Sequence, residues 1–566
     1  MGSSPSAPAF SIPARTEQML LANYDLGERV VLSVPLTLLT VVSLSLARRA
    51  WRQRPLYSVP GPRPQSFLIG NLKQFLGPAS LPFQDEMART YGRVFRLNGL
   101  FGEQLLVVSD PAALQHIVSK HADIFQPARY WLELVRMYFG LGLLSVTGET
   151  HRRQRKLTAQ VFSTANIKRM VPLFHAVARE LRNVFSADAA KSTTGELDVL
   201  EYMCRGSLES IARAGFGHTF NALHTGVSEF GDAIRRLAPA GAKTAMYRPL
   251  LPILTSIFSP PFLRRAALAL PWPALHEQIE ISDTFDRHAR AIWQEKQVLY
   301  EQGDSRVVDA DGLGRNILSI LLNENSKASA QDRLPDDQLI GQIVAFFFAG
   351  TDTSSNALAR IMHTLALHPD VQDELRRELL QAETHSDGPD ADVLDHLPLL
   401  DAVIRETLRL HPPIRFLQRV ANTDHSLPLS SPHLDVDGVP HSHVFVPAGT
   451  TLLISIAAIN RDLSIWGPDA EEWKPARWLT PTAFSEARVP GVFGNIMSFS
   501  GGPRSCVGYK FSLLEMKAVL YHFITSFQFT PSKRRIDWVF GGISTPSPEG
   551  GIPGTPALPL RISRLS

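Results

Sequence analysis

The chain alternates between long stretches of helical period and a few short stretches of strand period. Apolar positions recur every three or four residues over 112–119, 152–162, 199–214, 337–367, 370–382, 399–410 and 510–523. That spacing lines one face of a helix with core-seeking side chains. Two runs, 94–97 and 105–108, are rich in aliphatic and β-branched residues and flank Gly99-Leu100-Phe101-Gly102. They predict a strand pair joined by a turn. Strand-like runs return only late, at 444–446 and 451–456. The expectation is a mainly α fold with a minor β-sheet, an α+β domain without internal repeats.

The N-terminal side carries a different pattern. Residues 1–29 show no period and read as a tail. Val30–Ala47 is uncharged and apolar, bounded by Arg29 on one side and by Arg48, Arg49, Arg52 and Arg54 on the other. As a helix it would span roughly 27 Å, close to the ~30 Å of a bilayer core. It predicts a transmembrane anchor over 30–47 with a lumenal tail. The basic excess of the linker 48–58 places everything beyond it in the cytoplasm. Ser58-Val59-Pro60-Gly61-Pro62-Arg63-Pro64 excludes helix and predicts a stiff entry into one domain over 59–566.

Composition narrows the function. Apolar residues make up 44% and charged residues 20%, the balance of a chain with a large core. The 57 basic and 54 acidic residues leave a net charge of only +3, which gives no ground for a nucleic-acid partner. Two cysteines, Cys204 and Cys506, exclude a disulfide-stapled scaffold. Cys204 sits in a helical pattern without motif company and reads as a small core residue. Gly140-Leu141-Gly142 begins like a dinucleotide fingerprint but lacks the third glycine and the strand–helix frame. No flavin or nicotinamide domain is visible, so electrons for any redox reaction would come from a separate protein.

The strongest chemical signal is Phe499-Ser500-Gly501-Gly502-Pro503-Arg504-Ser505-Cys506-Val507-Gly508. It sets one thiol in a loop of small residues ahead of a helix, where backbone N–H groups can stabilise a thiolate. Arg504 adds a cation suited to a carboxylate. The spacing Phe-x-x-Gly-x-Arg-x-Cys-x-Gly resembles the haem-binding signature of the cytochrome P-450 superfamily, with Phe499, Gly502, Arg504 and Gly508 around the cysteine. The resemblance implies the cytochrome P-450 fold and haem b (iron protoporphyrin IX), with Cys506 as the thiolate ligand of iron.

Further segments match the same family in its order along the chain, so the resemblance covers roughly 59–525. Ala349-Gly350-Thr351-Asp352-Thr353-Ser354 lies inside a very apolar helical pattern. In the family this helix crosses the distal haem face: Ala349 and Gly350 leave room for dioxygen, Thr353 donates toward the reacting oxygen, and Asp352 helps relay protons. Glu406 and Arg409 stand three apart on one helical face. With Arg477 of Pro475-Ala476-Arg477-Trp478 they resemble the family's buried charge network, which fixes the loop leading to the cysteine. His151 and Arg155 resemble the propionate-binding helix, with His151 where the family usually has tryptophan, and Arg419 matches another propionate-binding arginine. The wall of an apolar distal pocket is expected from 124–144, 346–349 and 414–417.

The resemblance implies a haem-thiolate monooxygenase of the membrane-anchored microsomal type, similar to fungal enzymes of secondary metabolism. Its implied partners are dioxygen, an NADPH-dependent cytochrome reductase and a lipophilic substrate such as a terpenoid, with hydroxylation or epoxidation as the reaction. The implied location is the endoplasmic reticulum membrane. A basic patch for the reductase is expected from Arg152, Arg153, Lys156, Lys510 and Lys517, and a second membrane contact from the proline-broken apolar run 249–258. The rival readings are a haem-thiolate isomerase or dehydratase acting on a peroxide, and a non-catalytic membrane haem sensor. Retention of Asp352-Thr353 speaks for oxygen activation over the first.

Overall fold

The expected strand pair forms as β1 (Val94–Asn98) and β2 (Gln104–Val108), antiparallel in the register Val94↔Val108 and Leu97↔Leu105. The turn between them holds Phe101 and Gly102 at positive φ, 50° and 72°. The computed structural model describes residues 40, 42–226, 228–301, 316–383, 388–480 and 489–565. β1 and β2 belong to a five-stranded sheet with β3 (Phe125–Gln126), β4 (Phe416–Ala421) and β7 (Thr451–Ser455) in the order β1-β2-β7-β4-β3. Only the β2–β7 pair is parallel, Leu106 facing Leu452. Between β4 and β7 in the chain, β5 (His425–Leu434) and β6 (Pro440–Val446) form a separate hairpin.

Helices make up most of the rest, as the periodicity predicts. Five of them frame the site: α1 (Gly148–Val161), α2 (Val199–Ser210), α3 (Asp336–Leu367), α4 (Pro398–Leu410) and α5 (Tyr509–Ile524). α3 runs for 32 residues, about 48 Å at 1.5 Å per residue. Asp336 and Asp337 occupy its first turn, where carboxylates favour the exposed N–H groups. It ends before Pro369, which cannot continue a helix. Ile343, Phe347, Leu358, Ile361, Met362 and Leu365 bury its core face. α5 is buried almost all round, with Met516, Leu520 and Phe523 at 0% exposure, which places it at the centre of the molecule.

Two predicted helices end in wider turns. The pattern over 112–119 is an α-helix only for Pro111–Gln115 and then a π-turn over His116–Lys120. The pattern over 199–214 is α2 followed by a π-turn over Ile211–Gly215. The glycines of the rejected dinucleotide pattern have a packing role. A Cβ on Gly142 would meet the Gly341 carbonyl at 2.4 Å, so the loop touches α3 backbone to backbone.

The N-terminal anchor falls largely outside the described residues, which begin at Thr40 and omit Val41. Among the described residues no helix is long and apolar enough to cross a membrane. Residues 42–52 are helical, and the basic segment docks on the domain. Arg49 donates to the carbonyls of Leu100 and Phe101 at 2.8 Å each, and Arg52 pairs with Asp424 at 3.3 Å.

Candidate functional site

Cys506 stands in a loop whose shape is set by backbone contacts. Its N–H donates to the Phe499 carbonyl at 2.9 Å and closes the turn. Gly502 has φ +67°, and a Cβ there would lie 1.8 Å from the Val118 carbonyl oxygen. A Cβ on Gly501 would lie 1.9 Å from the Pro490 carbonyl oxygen. Both glycines are therefore demanded by neighbouring backbone. The Phe499 ring packs between Phe493, at 5.7 Å, and Tyr509, at 5.9 Å. Cys506 is exposed as a residue, while protein packed around the thiol encloses it. That enclosure pushes the thiol pKa up, while the Gly508 N–H and the Arg155 charge pull it down. Gly508 also precedes the first turn of α5, where the helix dipole favours negative charge.

A group of cations surrounds this loop. Arg155, on α1, donates to the Ser505 carbonyl at 2.6 Å and to Ser505 Oγ at 3.1 Å. Arg504 donates to the Val146 carbonyl at 2.9 Å, and Arg419 to the Gln418 carbonyl at 2.8 Å. Burial lowers the pKa of all three, to about 10 for Arg419 and Arg504. His151 is buried beside them and is pushed down to about 4, first by burial and then by Arg504, Arg155 and Arg419. It is a neutral imidazole at physiological pH. Among the described residues none of the three arginines pairs with a carboxylate. Arg419 is buried and Arg155 and Arg504 are half-buried, and cations so placed without counter-charges call for an anionic ligand.

The charge network foreseen around Glu406 is present and closed. Arg409 donates to both Glu406 oxygens at 2.8 and 2.9 Å, and Arg477 donates to Oε1 at 2.9 Å. The Trp478 indole N–H and the Lys474 backbone N–H add two more bonds, each at 2.9 Å. Glu406 and Arg409 are fully buried and Arg477 is nearly so. The link to the cysteine loop runs through a residue the sequence reading did not single out, Asn460. Its carbonyl accepts from Arg409 at 2.9 Å. Its side chain accepts from the Met497 N–H at 2.8 Å and donates to Ser498 Oγ at 2.9 Å. The network thus holds the two residues that precede Phe499.

α3 carries the acid–alcohol pair. Thr353 Oγ1 donates to the Ala349 carbonyl at 2.7 Å, so the hydroxyl competes for a helical acceptor. Asn356, one turn on, donates to Asp352 Oδ1 at 3.1 Å. Burial raises the Asp352 pKa to about 7, against the pull of that bond. The missing Cβ of Gly350 points at Ile211, 3.3 Å from Cγ1, so glycine there lets the π-turn after α2 approach α3. Ser354 Oγ meets Ser512 Oγ at 2.9 Å. That bond ties the turn bearing Asp352 and Thr353 to α5, six residues after Cys506. Asn356 was legible as the i+4 neighbour of Asp352; the Ser354–Ser512 bond had no sequence signal.

Trp131, Leu134, Phe348, Ile414 and Leu417 are half-buried apolar residues from the expected wall segments. Phe348 stacks on Phe139 at 4.6 Å. The expected basic patch is broken up. Lys517 is buried and pairs with Asp395 at 3.1 Å and Asp401 at 3.3 Å, so it leaves the patch. Lys156 pairs with Asp332 and Arg152 with Glu149 at the surface.

A thiol in a loop fixed by backbone contacts, beside one buried and two half-buried arginines without counter-anions, fits an iron porphyrin with two carboxylate arms. Cys506 would hold the iron, and Arg155, Arg419, Arg504 and His151 would face the carboxylates. Residues 60–552 match the family described as Cytochrome P450. The chain is 42% identical over 520 residues to cytochrome P450 monooxygenase 91 of Postia placenta, covering 91% of this chain and 95% of the relative. It is 38% identical to cytochrome P450 monooxygenase 81 of the same fungus, over 92% and 95%. It is also 38% identical to ganoderic acid synthetase CYP5150L8 of Ganoderma lucidum, over 87% and 91%.

Proposed function

The chain belongs to the cytochrome P450 family and is a haem-thiolate monooxygenase, and we propose that it oxidises a lipophilic, terpenoid-like metabolite in fungal secondary metabolism. The observation that carries the reading is the Cys506 loop set among buried and half-buried arginines that lack protein counter-anions. The substrate class rests on the apolar wall and on likeness to a relative named for ganoderic acid synthesis. The expected chemistry is hydroxylation or epoxidation, with electrons from an NADPH-dependent reductase.

When bound, the haem supplies dioxygen activation, favoured by electron donation from the thiolate. The protein's part is orientation and proton handling. Arg155, Arg419 and Arg504 would hold the cofactor's carboxylates by charge-assisted hydrogen bonds. Asp352 carries a carboxyl poised near neutrality, which can give up and regain a proton at the working pH. Thr353 Oγ1 donates to the Ala349 carbonyl and, on releasing that bond, can turn its proton toward the site. Trp131, Leu134, Phe348, Ile414 and Leu417 exclude water and select apolar substrates.

The proposed setting is the endoplasmic reticulum membrane, with 30–47 as anchor and the catalytic domain in the cytoplasm. A second contact is proposed at 245–270. Met246 (65%), Ile253 (55%), Ile257 (65%) and Phe262 (47%) are exposed on its short helices, where no residue is buried. A cluster of large apolar side chains facing solvent marks an interaction surface. The test is co-expression with a reductase and mass spectrometry of products from a terpenoid library. NADPH consumption coupled to oxygenated product supports the reading. Conversion of a peroxide without reductase would replace monooxygenation by isomerase or dehydratase chemistry.

A further inference from the structure

Outside the haem site, three histidines from two distant parts of the chain converge. His116 opens the π-turn His116–Lys120, His121 caps its end, and His425 begins β5. His116 Nε2 and His425 Nε2 lie 2.6 Å apart. The ring centroids of His116–His121, His116–His425 and His121–His425 are separated by 4.3, 4.8 and 5.0 Å. One ring nitrogen from each residue lies within 4.8 Å of the others, and all three residues are half-buried. We propose that His116, His121 and His425 form a binding site for a zinc-class divalent transition-metal ion, with solvent in the fourth position.

The donor chemistry selects the ion. Imidazole suits zinc, copper and nickel, whereas magnesium and calcium prefer oxygen ligands. Tetrahedral zinc with Zn–N bonds of about 2.0–2.1 Å requires nitrogens roughly 3.3 Å apart. The His116–His425 pair, at 2.6 Å, must open by roughly 0.7 Å, and the wider spacing, up to 4.8 Å, must close by up to about 1.5 Å through side-chain rotation. Burial also favours the neutral form of two of the three, His116 and His425. His116 is held at about 4, chiefly by burial and then by His121, His425, Lys120 and His443, so it presents a lone pair at neutral pH. His425 is lowered by burial and by His121, with Asp123 acting the other way.

The site would stiffen a defined element. Between His116 and His121 lies Val118, whose carbonyl is the atom that excludes any side chain at Gly502. An ion bridging this turn to β5 would clamp the outer support of the cysteine loop. The role is therefore structural, acting on haem retention and thermal stability.

The test uses the full-length holoenzyme, stripped of adventitious metal with a chelator and titrated with zinc chloride. Elemental analysis relative to haem iron and calorimetry are expected to give one zinc per chain, with a Kd at least tenfold weaker in His121→Ala and in His425→Ala. His433→Ala/His441→Ala, on the same hairpin, should bind as the parent does. The thiolate-type reduced-CO band shows that each variant retains its haem site. X-ray absorption at the zinc edge of the parent should show three imidazole nitrogens, a readout independent of variant folding. No zinc uptake at micromolar concentration, undiminished affinity in both variants, or a zinc shell without imidazole would each overturn the proposal. Zinc uptake can fail while haem chemistry stands, so this test is separate from that of the oxygenase reading.

Discussion

Arg155 donates two hydrogen bonds to Ser505, at 2.6 Å to the carbonyl and 3.1 Å to the hydroxyl, one residue before the thiolate ligand. One side chain on α1 therefore fixes the Cys506 loop and, with the Gly508 N–H, partly offsets the rise that burial imposes on the thiol pKa. Arg155→Ala should lower haem occupancy several-fold and weaken the thiolate-type reduced-CO band. Arg155→Lys keeps the charge but loses the fork and should recover only part. Haem content per chain and the reduced-CO spectrum measure both; full occupancy in Arg155→Ala would show the bonds to be incidental.

Cys506→Ser tests the ligand itself. The variant should lose the thiolate-type reduced-CO band while far-ultraviolet dichroism stays helical. A retained band would refute the assignment of Cys506.

Asp352 is held at about 7 by burial. Below that pH it is a neutral acid that can donate; above it, an anion. Asp352→Asn can hold the hydrogen bonds but not exchange the proton, so turnover should fall on the order of 10²-fold or more. The parent's turnover should change through neutral pH, and the variant's profile should be flat there. Product formation and NADPH consumption across that range decide it; an unchanged profile in the variant removes Asp352 from the proton route.

Glu406 accepts from Arg409, Arg477, Trp478 and the Lys474 backbone. Glu406→Ala leaves the buried Arg409 guanidinium without a carboxylate and Arg477 with Asp469 alone, a loss of about 3–5 kcal/mol. Denaturant unfolding of the holoenzyme should register it, with loss of haem because Asn460 no longer holds Met497 and Ser498. A shift below 1 kcal/mol would mean that solvent or neighbouring groups replace the carboxylate.

Glu515, on α5, is fully buried, and its pKa is raised from 4.5 to about 8, chiefly by burial and softened by Ser207 and Ser354. The folded chain therefore holds a proton that the unfolded chain releases. Its contribution to stability is complete below about 4.5, falls as pH rises, and is gone above about 8. Glu515→Gln should abolish that slope while keeping the haem spectrum. Thermal unfolding followed across this pH range checks the sign.

The sequence showed the chemistry more fully than the surroundings. Cys506, Arg504 and the Glu406–Arg409–Arg477 set are local spacings with a chemical reason, and the structure brings the last three together within 3 Å contacts. Helices such as 336–367 and 398–410 were legible to within a residue because their apolar period is long. Asn460, Ser505 and Ser512 were not, because a lone polar residue carries no pattern and acquires its role only from a partner far along the chain. Lys517 misled for the same reason: a lysine reads as surface until Asp395 and Asp401 close over it. The strands at 527–531, 536–540, 544–548 and 559–564 escaped because each is only five or six residues long and three of them carry a proline.

The contacts of Gly501 with Pro490 and of Gly502 with Val118 divide the protein for anyone wishing to redirect it. With no space for even a methyl group, Gly501 and Gly502 offer no latitude to a mutant library. Trp131, Leu134, Phe348, Ile414 and Leu417, on other elements, can be randomised without touching the loop that grips the metal. Selectivity and cofactor retention can then be evolved as separate traits.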